Sequence, residues 1–418
     1  MQFNADGSIE VDEYPAARQS LRIAVVTETY PPEVNGVAAT IASFVEGLRA
    51  RNHVVQLIRP RQAKLELAGN NDRFHEVLLG GLPIPNYPHL KMGLPSKRAL
   101  VALWKHRRPD LVHVVTEGPL GWSAVQAATT LRLPVCSDFR TNFHSYSRHY
   151  GIGWLHRPIL GYLRKFHNKT RLTMVPTEAL RRELSASNFH NVKVVARGVD
   201  TTRFDPSKRS EALRQDWGAG PDTTVVIHVS RLAPEKNLAA LLRTYDALRV
   251  MRQSVKFVFV GDGPSRAELE RRCPEAVFAG TRRGEDLAAH YASGDIFLFP
   301  STTETFGNVT AEAMACGLAV VAYDYAAAAE LIESGVSGLL APFDDTAVLI
   351  RMVTELACNP GAAAAMGRQA RRVAEQHAWA RVVEQLEGMF LQVLDGVDSP
   401  DNRTPRSLRP AMPKPVDV

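Results

Sequence analysis

The stretch DIFLFPSTTETFGNVTAEAMACGLAVVAYD, residues 295–324, contains a strand, a turn, a helix and a second strand in succession. DIFLFPS and LAVVAYD are short continuous apolar runs, as expected of strands buried on both faces. The segment between them is long enough for the crossover helix that two parallel strands require. A unit of this kind belongs to a doubly wound sheet.

Outward from it the same rhythm repeats. TVVIHVS (from Thr224), KFVFVGDG (from Lys256) and AVFAG (from Ala276) precede the unit, and GLLAP (from Gly338) follows it. An earlier series comprises RIAVVTE (from Arg22), HVVQLI (from His53), LVHVVT (from Leu111), PVCSD (from Pro134), LTMVPT (from Leu172) and VKVVARG (from Val192). Longer amphipathic stretches separate these runs, the pattern of parallel strands joined by helices. A chain of 418 residues exceeds what one hydrophobic core serves. The expected fold is therefore α/β, with two Rossmann-like doubly wound parallel-sheet domains in series.

The expected boundaries are an N-terminal tail over 1–20, a first domain over 21–198 and a connection over 199–222 that is rich in turn formers and charge. A second domain follows over 223–380, then a C-terminal helix over 381–397 and a Pro-rich, disordered tail over 398–418. Hydrophobic residues make up 45% and charged residues 22%, the composition of an ordinary globular protein. Apolar runs fall short of the roughly 18 to 20 residues a membrane helix needs, and the N-terminus does not read as a secretory signal. A cytoplasmic protein is expected. The cysteines at 136, 273, 316 and 358 are too scattered for a disulfide framework or a zinc site. A net charge of +6 suits a polyphosphate ligand, an anionic membrane or nucleic acid. Nucleic acid is not expected, because no recognisable module interleaves basic and aromatic residues.

Doubly wound sheets bind ligands outside the carboxyl ends of their strands. Two such edges facing each other place the site in a cleft. In the second domain Glu304 falls in the turn after DIFLFPS, and Glu312 falls on the helix that follows. Phe306, Gly307 and Asn308 stand where that helix begins, and its free N–H groups suit a phosphate. A carboxylate in the turn can accept from a sugar hydroxyl, and one on the helix can hold a ribose diol. Arg231 and Lys236, in HVSRLAPEKN, follow the domain's first strand, where cations can meet a diphosphate. Gly261 and Gly263, in VFVGDGPSRAEL, lack the Cβ that would keep a base or ribose away. Arg266 stands where a full dinucleotide fingerprint has its third glycine. Thr281 follows AVFAG on the same edge. In the first domain Gly36 opens a helix whose N–H groups can face the leaving phosphate from across the cleft.

Together these residues resemble the retaining GT-B glycosyltransferases, a group that includes bacterial glycolipid mannosyl- and glucosyltransferases and sucrose synthase. The resemblance spans residues 21 to 390 and rests on E-x7-E at Glu304 and Glu312, with R-x4-K at Arg231 and Lys236 upstream. It implies that Glu304 contacts the donor sugar, Glu312 the ribose, and Arg231 with Lys236 the diphosphate. Gly36, Gly261, Gly263, Thr281, Phe306, Gly307 and Asn308 complete the donor site on this reading. PPEVNGVAATIASF and TETFGNVTAEAMACG are most similar to segments of enzymes that glycosylate membrane lipids with mannose, glucose or sulfoquinovose. There are two departures. Asn35 stands where the group often has a first glycine before Gly36, and Asn tolerates a positive φ. The group also carries a sugar-binding His after the fourth strand of its first domain, where SDFRTNFHSYSRHYG puts Arg140, with His144 four residues on. Asp138, Arg140 and His144 are all candidates for that pocket.

The expected activity is retaining transfer of a hexose, mannose favoured, from a nucleotide diphosphate sugar to an acceptor hydroxyl, that of a membrane lipid. No cofactor and no metal are expected, since no Asp-x-Asp occurs in the chain and Arg231 and Lys236 can neutralise the diphosphate. The alternatives are a soluble or polysaccharide acceptor with a UDP-sugar donor, and a non-hydrolysing sugar-nucleotide epimerase. Basic residues crowd the first domain at Lys91, Lys97, Arg98, Lys105, Arg107 and Arg108, and again from Arg148 to Arg171. GWLHRPILGYLRKFHNKTRL sets Trp154, Leu155, Ile159, Leu160, Leu163 and Phe166 among such cations. Its composition suits an interfacial helix or a core helix with a solvated basic face. On the first reading the N-terminal domain rests on anionic lipid, at the inner face of the cytoplasmic membrane.

Overall fold

In a computed structural model of the chain, the residues described are 2–3, 9–10, 20–33, 35–63, 65–84, 87–140, 156–251, 254–304 and 306–398. The first sheet comprises β1 (Arg22–Val26), β2 (Val54–Pro60), β3 (Asn70–Asn71), β4 (Phe74–Leu79), β5 (Leu111–Val114), β6 (Val135–Asp138), β7 (Leu172–Val175) and β8 (Val192–Val194). Their order is β8-β7-β6-β5-β1-β2-β4-β3, and every pair is parallel except β3 with β4. Alternate side chains of β1 enter different cores, the period of two that a strand imposes. Ile23 and Val25 pack with Ile41, Phe44 and Leu48 of α1 (Gly36–Ala50). Ala24 and Val26 pack with Leu100 and Trp104 of α2 (Lys97–His106) and Ala124 of α3 (Pro119–Leu131). Helices on both faces explain why these strands read as unbroken apolar runs.

The strands β3 and β4 and the hairpin Gly81–Ile84 with Tyr87–Gly93 lie outside the runs read from the sequence. The β4 strand FHEVLL is only half-buried along its length, so it carries no continuous apolar signal. In α4 (His156–His167), Leu163 and Phe166 are buried while Arg164 and Lys165 are exposed. Over these residues the basic helix packs its apolar side on the domain core. Trp154, Leu155 and Arg148 lie outside the described residues.

The second sheet comprises β9 (Thr224–Val229), β10 (Val255–Val260), β11 (Val277–Gly280), β12 (Ile296–Phe299), β13 (Ala319–Tyr323) and β14 (Gly338–Ala341). It is wholly parallel, in the order β11-β10-β9-β12-β13-β14. The order reverses between β9 and β12, and such a switch point is where a crevice opens. The connection over 199–222 is built onto this domain. It contains α5 (Glu211–Asp216), and Phe204, Trp217 and Ala219 join the second domain's core. The buried Arg214 donates to the carbonyls of Ser293 at 2.9 Å and Thr223 at 2.7 Å. One face of the sheet carries α6 (Leu238–Arg249), the other α7 (Gly284–Ala292) and α8 (Asn308–Ala315). Then come α9 (Thr346–Ala357), α10 (Pro360–Gln376) and α11 (Trp379–Asp398).

The last helix starts two residues ahead of its expected position and returns to the first domain. Val382, Val383, Leu386 and Phe390 complete the core beneath α1. Glu387 accepts from Arg51 Nε at 2.6 Å and lies 3.0 Å from His53 Nε2. Beside this return, Val199 N donates to the His377 carbonyl at 3.0 Å, and Trp379 N donates back to the Val199 carbonyl. Among the described residues no helix is long and apolar enough to cross a membrane.

Candidate active site

The loop from β12 to α8 is held at three points. Gly307 has φ +89°, a left-handed turn into the helix that favours glycine. Tyr325 OH donates to the Glu304 carbonyl at 2.9 Å, and Ser301 Oγ donates to Glu304 Oε1 at 2.8 Å. Lys236, in the short turn Pro234–Lys236 past β9, forms an ion pair with that same carboxylate oxygen. Its ammonium also sits 5.9 Å from the centre of the Phe299 ring. The two side chains are 18% and 15% exposed, so the pair is reachable but largely sheltered, where charges interact more strongly than in water. Thr303 Oγ1 donates to the Glu235 carbonyl at 2.9 Å and ties the two loops together.

The structure does not bring Arg231 to this pair. Its side chain is 69% exposed and pairs with Glu235 on the rim. Gly261 and Gly263 face protein backbone. A Cβ on Gly261 would lie 1.9 Å from the Ser230 carbonyl oxygen, and one on Gly263 would lie 2.3 Å from that of Leu232. Both glycines let the loops after β9 and β10 lie against each other. Thr281 is exposed just past β11.

Glu312 lies on α8, where Tyr291 OH donates to its Oε2 at 3.0 Å. Burial raises its pKa above the ordinary carboxylate range, although the Tyr291 hydrogen bond and the charge of Arg203 favour the ionised form. With Asn308 it lines a groove of about 700 Å³ that is also lined by Ala39 and Ser43 of α1 and by Phe204.

On the first domain's side, Asn35 caps α1 by accepting from Ala38 N at 2.8 Å and donating to Thr29 Oγ1 at 2.7 Å. Its φ is −150°, so the turn needs none of the positive φ expected of it. A Cβ on Gly36 would lie 2.8 Å from Arg197 Nη1, and the same nitrogen donates to Asn308 Oδ1 at 3.4 Å. The Arg197 guanidinium also stands 5.7 Å from the centre of the buried Phe306 ring. Thus the first residues of α1 and α8, from opposite domains, meet at one side chain.

Arg140 is turned into the interior of the first domain. It is 2% exposed, with Nε 3.1 Å from Asp138 Oδ2, and Nη2 donates to the Val195 carbonyl at 3.3 Å. His113 Nε2 lies 3.2 Å from the same Asp138 oxygen. Burial would raise the Asp138 pKa, but Arg140 and His113 outweigh it and hold the carboxyl down at about 2. Asp138 and Arg140, both candidates for the sugar pocket, thus engage each other in the domain interior. His144 lies outside the described residues.

Sequence reading passed over Arg197, Tyr291 and Glu28. The ARGVD segment carried the signal for Arg197, a cation at the point where the chain leaves the first domain. Glu28 sits just past β1 and accepts from Leu120 N at 3.0 Å, at the N-terminus of α3. Burial raises its pKa to about 7, against hydrogen bonds from Leu120 and Gly93 and with added repulsion from Glu117.

A carboxylate with an ammonium beside it, at the junction of two helix N-termini, can hold a neutral hydroxylated group and an anion next to each other. Residues 34–203 match the family described as Glycosyltransferase Family 4, and residues 223–359 match Glycosyl transferases group 1. A GDP-mannose-dependent alpha-mannosyltransferase of Mycolicibacterium smegmatis is 33% identical over 380 residues, 90% of this chain and 98% of that protein. An alpha-monoglucosyldiacylglycerol synthase of Streptococcus pneumoniae is 26% identical, over 72% of this chain and 71% of that protein. Among solved structures, sucrose-phosphate synthase from Thermosynechococcus elongatus superposes with a TM-score of 0.70 at 17% identity, covering 90% of this chain and 100% of that one. The chain belongs to the group 1 and family 4 glycosyltransferases. It is a hexosyltransferase with the GT-B fold.

Proposed function

We propose that the protein transfers mannose from GDP-mannose to a hydroxyl of a membrane lipid, with the anomeric configuration retained and without a metal ion. The observation that carries this reading is the Glu304–Lys236 pair beside the meeting point of α1 and α8. Glu304 accepts from a donor-sugar hydroxyl, and Lys236, released from it, neutralises the diphosphate with Arg231 swung in from the rim. Glu312 holds the ribose, exchanging its Tyr291 contact for a diol. The C1–O bond to the β-phosphate breaks, the acceptor oxygen bonds to C1 on the same face, and the acceptor proton leaves with the diphosphate. Charge develops on the leaving group, so the fixed positive ends of two helices and the cations supply most of the stabilisation.

The name of the mycolicibacterial relative supports the donor, and that of the pneumococcal relative supports a lipid acceptor. A surface of the first domain fits the same acceptor. Leu65 and Leu67, in the loop after β2, are 91% and 88% exposed, and Leu82, Met92 and Leu94 project from or beside the hairpin. Lys97, Arg98 and Lys105 are exposed on α2. Apolar side chains among cations suit an anionic lipid surface, each nearby cation contributing about 1 kcal/mol.

A thermal-shift panel of GDP-mannose, UDP-glucose, UDP-galactose and UDP-sulfoquinovose tests the donor. At 100 times its dissociation constant the donor should stabilise the fold by about 2.7 kcal/mol. Transfer to lipid acceptors, with the product anomer read by NMR and the assay repeated in EDTA, tests the rest. Stabilisation by UDP-sugars alone, an inverted product, or a loss on chelation that magnesium restores would overturn the corresponding part.

A further inference from the structure

Four arginines among the described residues are buried: Arg59, Arg140, Arg197 and Arg214. Arg59 pairs with Glu66 and Glu76, Arg140 with Asp138, and Arg214 with Asp295. Among the described residues Arg197 has no carboxylate within ion-pairing distance. It is 6% exposed, and among the described residues its Nε has no hydrogen-bond partner and its one side-chain hydrogen bond is the long one to Asn308 Oδ1. A buried charge without a partner is costly, so a cation kept in this state points to a ligand that supplies the missing charge.

The surroundings define that ligand. Gly36 and Asn308 begin α1 and α8, and each helix directs the positive end of its dipole at the guanidinium. Arg140 stands behind it, and burial together with Arg140 outweighs the charges of Asp138 and Glu304 and depresses the Arg197 pKa to about 10. Three sources of positive potential therefore converge on a cation. The chain holds it there by its neighbours: Val195 N donates to the Val175 carbonyl at 2.9 Å, and Gly198 packs against Trp379. An anion with several oxygens, entering between the two helix N-termini, would be shared by all of these groups. Asn308 is then the placeholder that such an anion displaces.

We propose that Arg197 is a further binding residue for the β-phosphate of the nucleoside diphosphate, one that reaches the leaving group from the first domain. The assignment rests on the glycosyl-transfer reading and adds a residue to that site. It makes diphosphate recognition a property of both domains: Lys236 approaches from one and Arg197 from the other.

Calorimetric titration of the full chain, Arg197→Met and Arg197→Lys with GDP and with GMP tests it, with melting temperatures as the check on folding. Loss of one charge-assisted contact should weaken GDP binding by roughly ten- to a hundred-fold and leave GMP binding unchanged. Arg197→Lys, which keeps the positive charge but replaces the guanidinium fork with a single ammonium, should fall between, and it keeps the test readable if Arg197→Met does not fold. Equal weakening for both nucleotides, or unchanged GDP affinity in folded variants, would overturn the assignment. So would a defect confined to the acceptor KM, which would put the anion on the acceptor. If the unaltered protein binds neither GDP nor UDP, the transfer reading fails as well; if it binds either and the variants bind it equally, this assignment alone fails.

Discussion

The parallel strands of the two sheets share one order, β4-β2-β1-β5-β6-β7 in the first matching β11-β10-β9-β12-β13-β14 in the second, yet their carboxyl ends are finished differently. In the second domain the loops after β9, β10 and β12 are short and tied to one another, by Thr303 to Glu235 and by Leu232 to Asp262. In the first domain the corresponding edge carries a long loop with Leu65 and Leu67 in solvent and a hairpin over Gly81–Gly93, above buried ion pairs such as Asp138 with Arg140. A nucleotide diphosphate presents the same phosphates whatever sugar it carries, so the edge that holds it has little freedom. On the proposed reading the opposite edge meets the acceptor and can be elaborated without disturbing the sheet.

This contrast can be broken by experiment. The largest effect is expected at the tied edge: Glu304→Ala should lower kcat by about 10² to 10³ with nucleotide affinity nearly intact. Lys236→Ala should nearly abolish turnover, and Arg231→Ala should cost less, because Arg231 begins outside the pair. Glu312→Ala should do the reverse of Glu304→Ala, weakening nucleotide binding by roughly ten- to a hundred-fold. Comparable kinetics for Lys236→Ala and Arg231→Ala would show that the rim cation is recruited fully.

At the elaborated edge the next effect is on stability. Asp138→Asn leaves Arg140 without its counter-charge in a dry interior, and about 3 to 5 kcal/mol of stability should be lost, read by urea unfolding. A smaller effect depends on pH. The folded protein keeps the Glu28 proton up to about pH 7, whereas the unfolded chain releases it near the ordinary 4.5. Unfolding therefore releases a proton in that window, and stability should fall as pH rises through it. Glu28→Gln should flatten the decline of melting temperature between pH 5 and pH 8, values that bracket the upper part of the window roughly. The smallest effect is on association: Leu65→Ser with Leu67→Ser should reduce cosedimentation with phosphatidylglycerol vesicles, and about 0.5 M salt should reduce it further. Equal binding to phosphatidylcholine would remove the anionic surface from the account.

The second domain was legible strand by strand because its four central strands, β10, β9, β12 and β13, are largely buried and read as mostly apolar runs, while the edge strands β11 and β14 are short but wholly apolar or Gly. Strand β4, covered on its outer side only by the two-residue β3, and the hairpin were not, since the half-buried FHEVLL mixes His and Glu into its apolar run, and Pro83 and Pro88 argue against pairing. In the site, residue types and spacing led to Glu304 and Lys236, which the fold pairs. Spacing could not reveal that Arg231 turns away, because the choice between Glu235 and Glu304 is made in three dimensions. Nor did it reveal the Asp138–Arg140 pair, though His113 inside the apolar run LVHVVT was the trace of a buried polar cluster.

The return of α11 to the first domain has a mechanical consequence. The chain passes between the domains twice, near Val199 and near Ala378, and the two passages are bridged side by side. Two parallel pins set next to each other act as a hinge with one axis, which resists twisting and sliding while leaving the jaws free to open. The last helix is therefore the strap of that hinge. A cut between Gln376 and Trp379 would leave both sheets whole while freeing them to turn about a single thread, and would expose the apolar floor beneath α1 that Val383 and Phe390 cover.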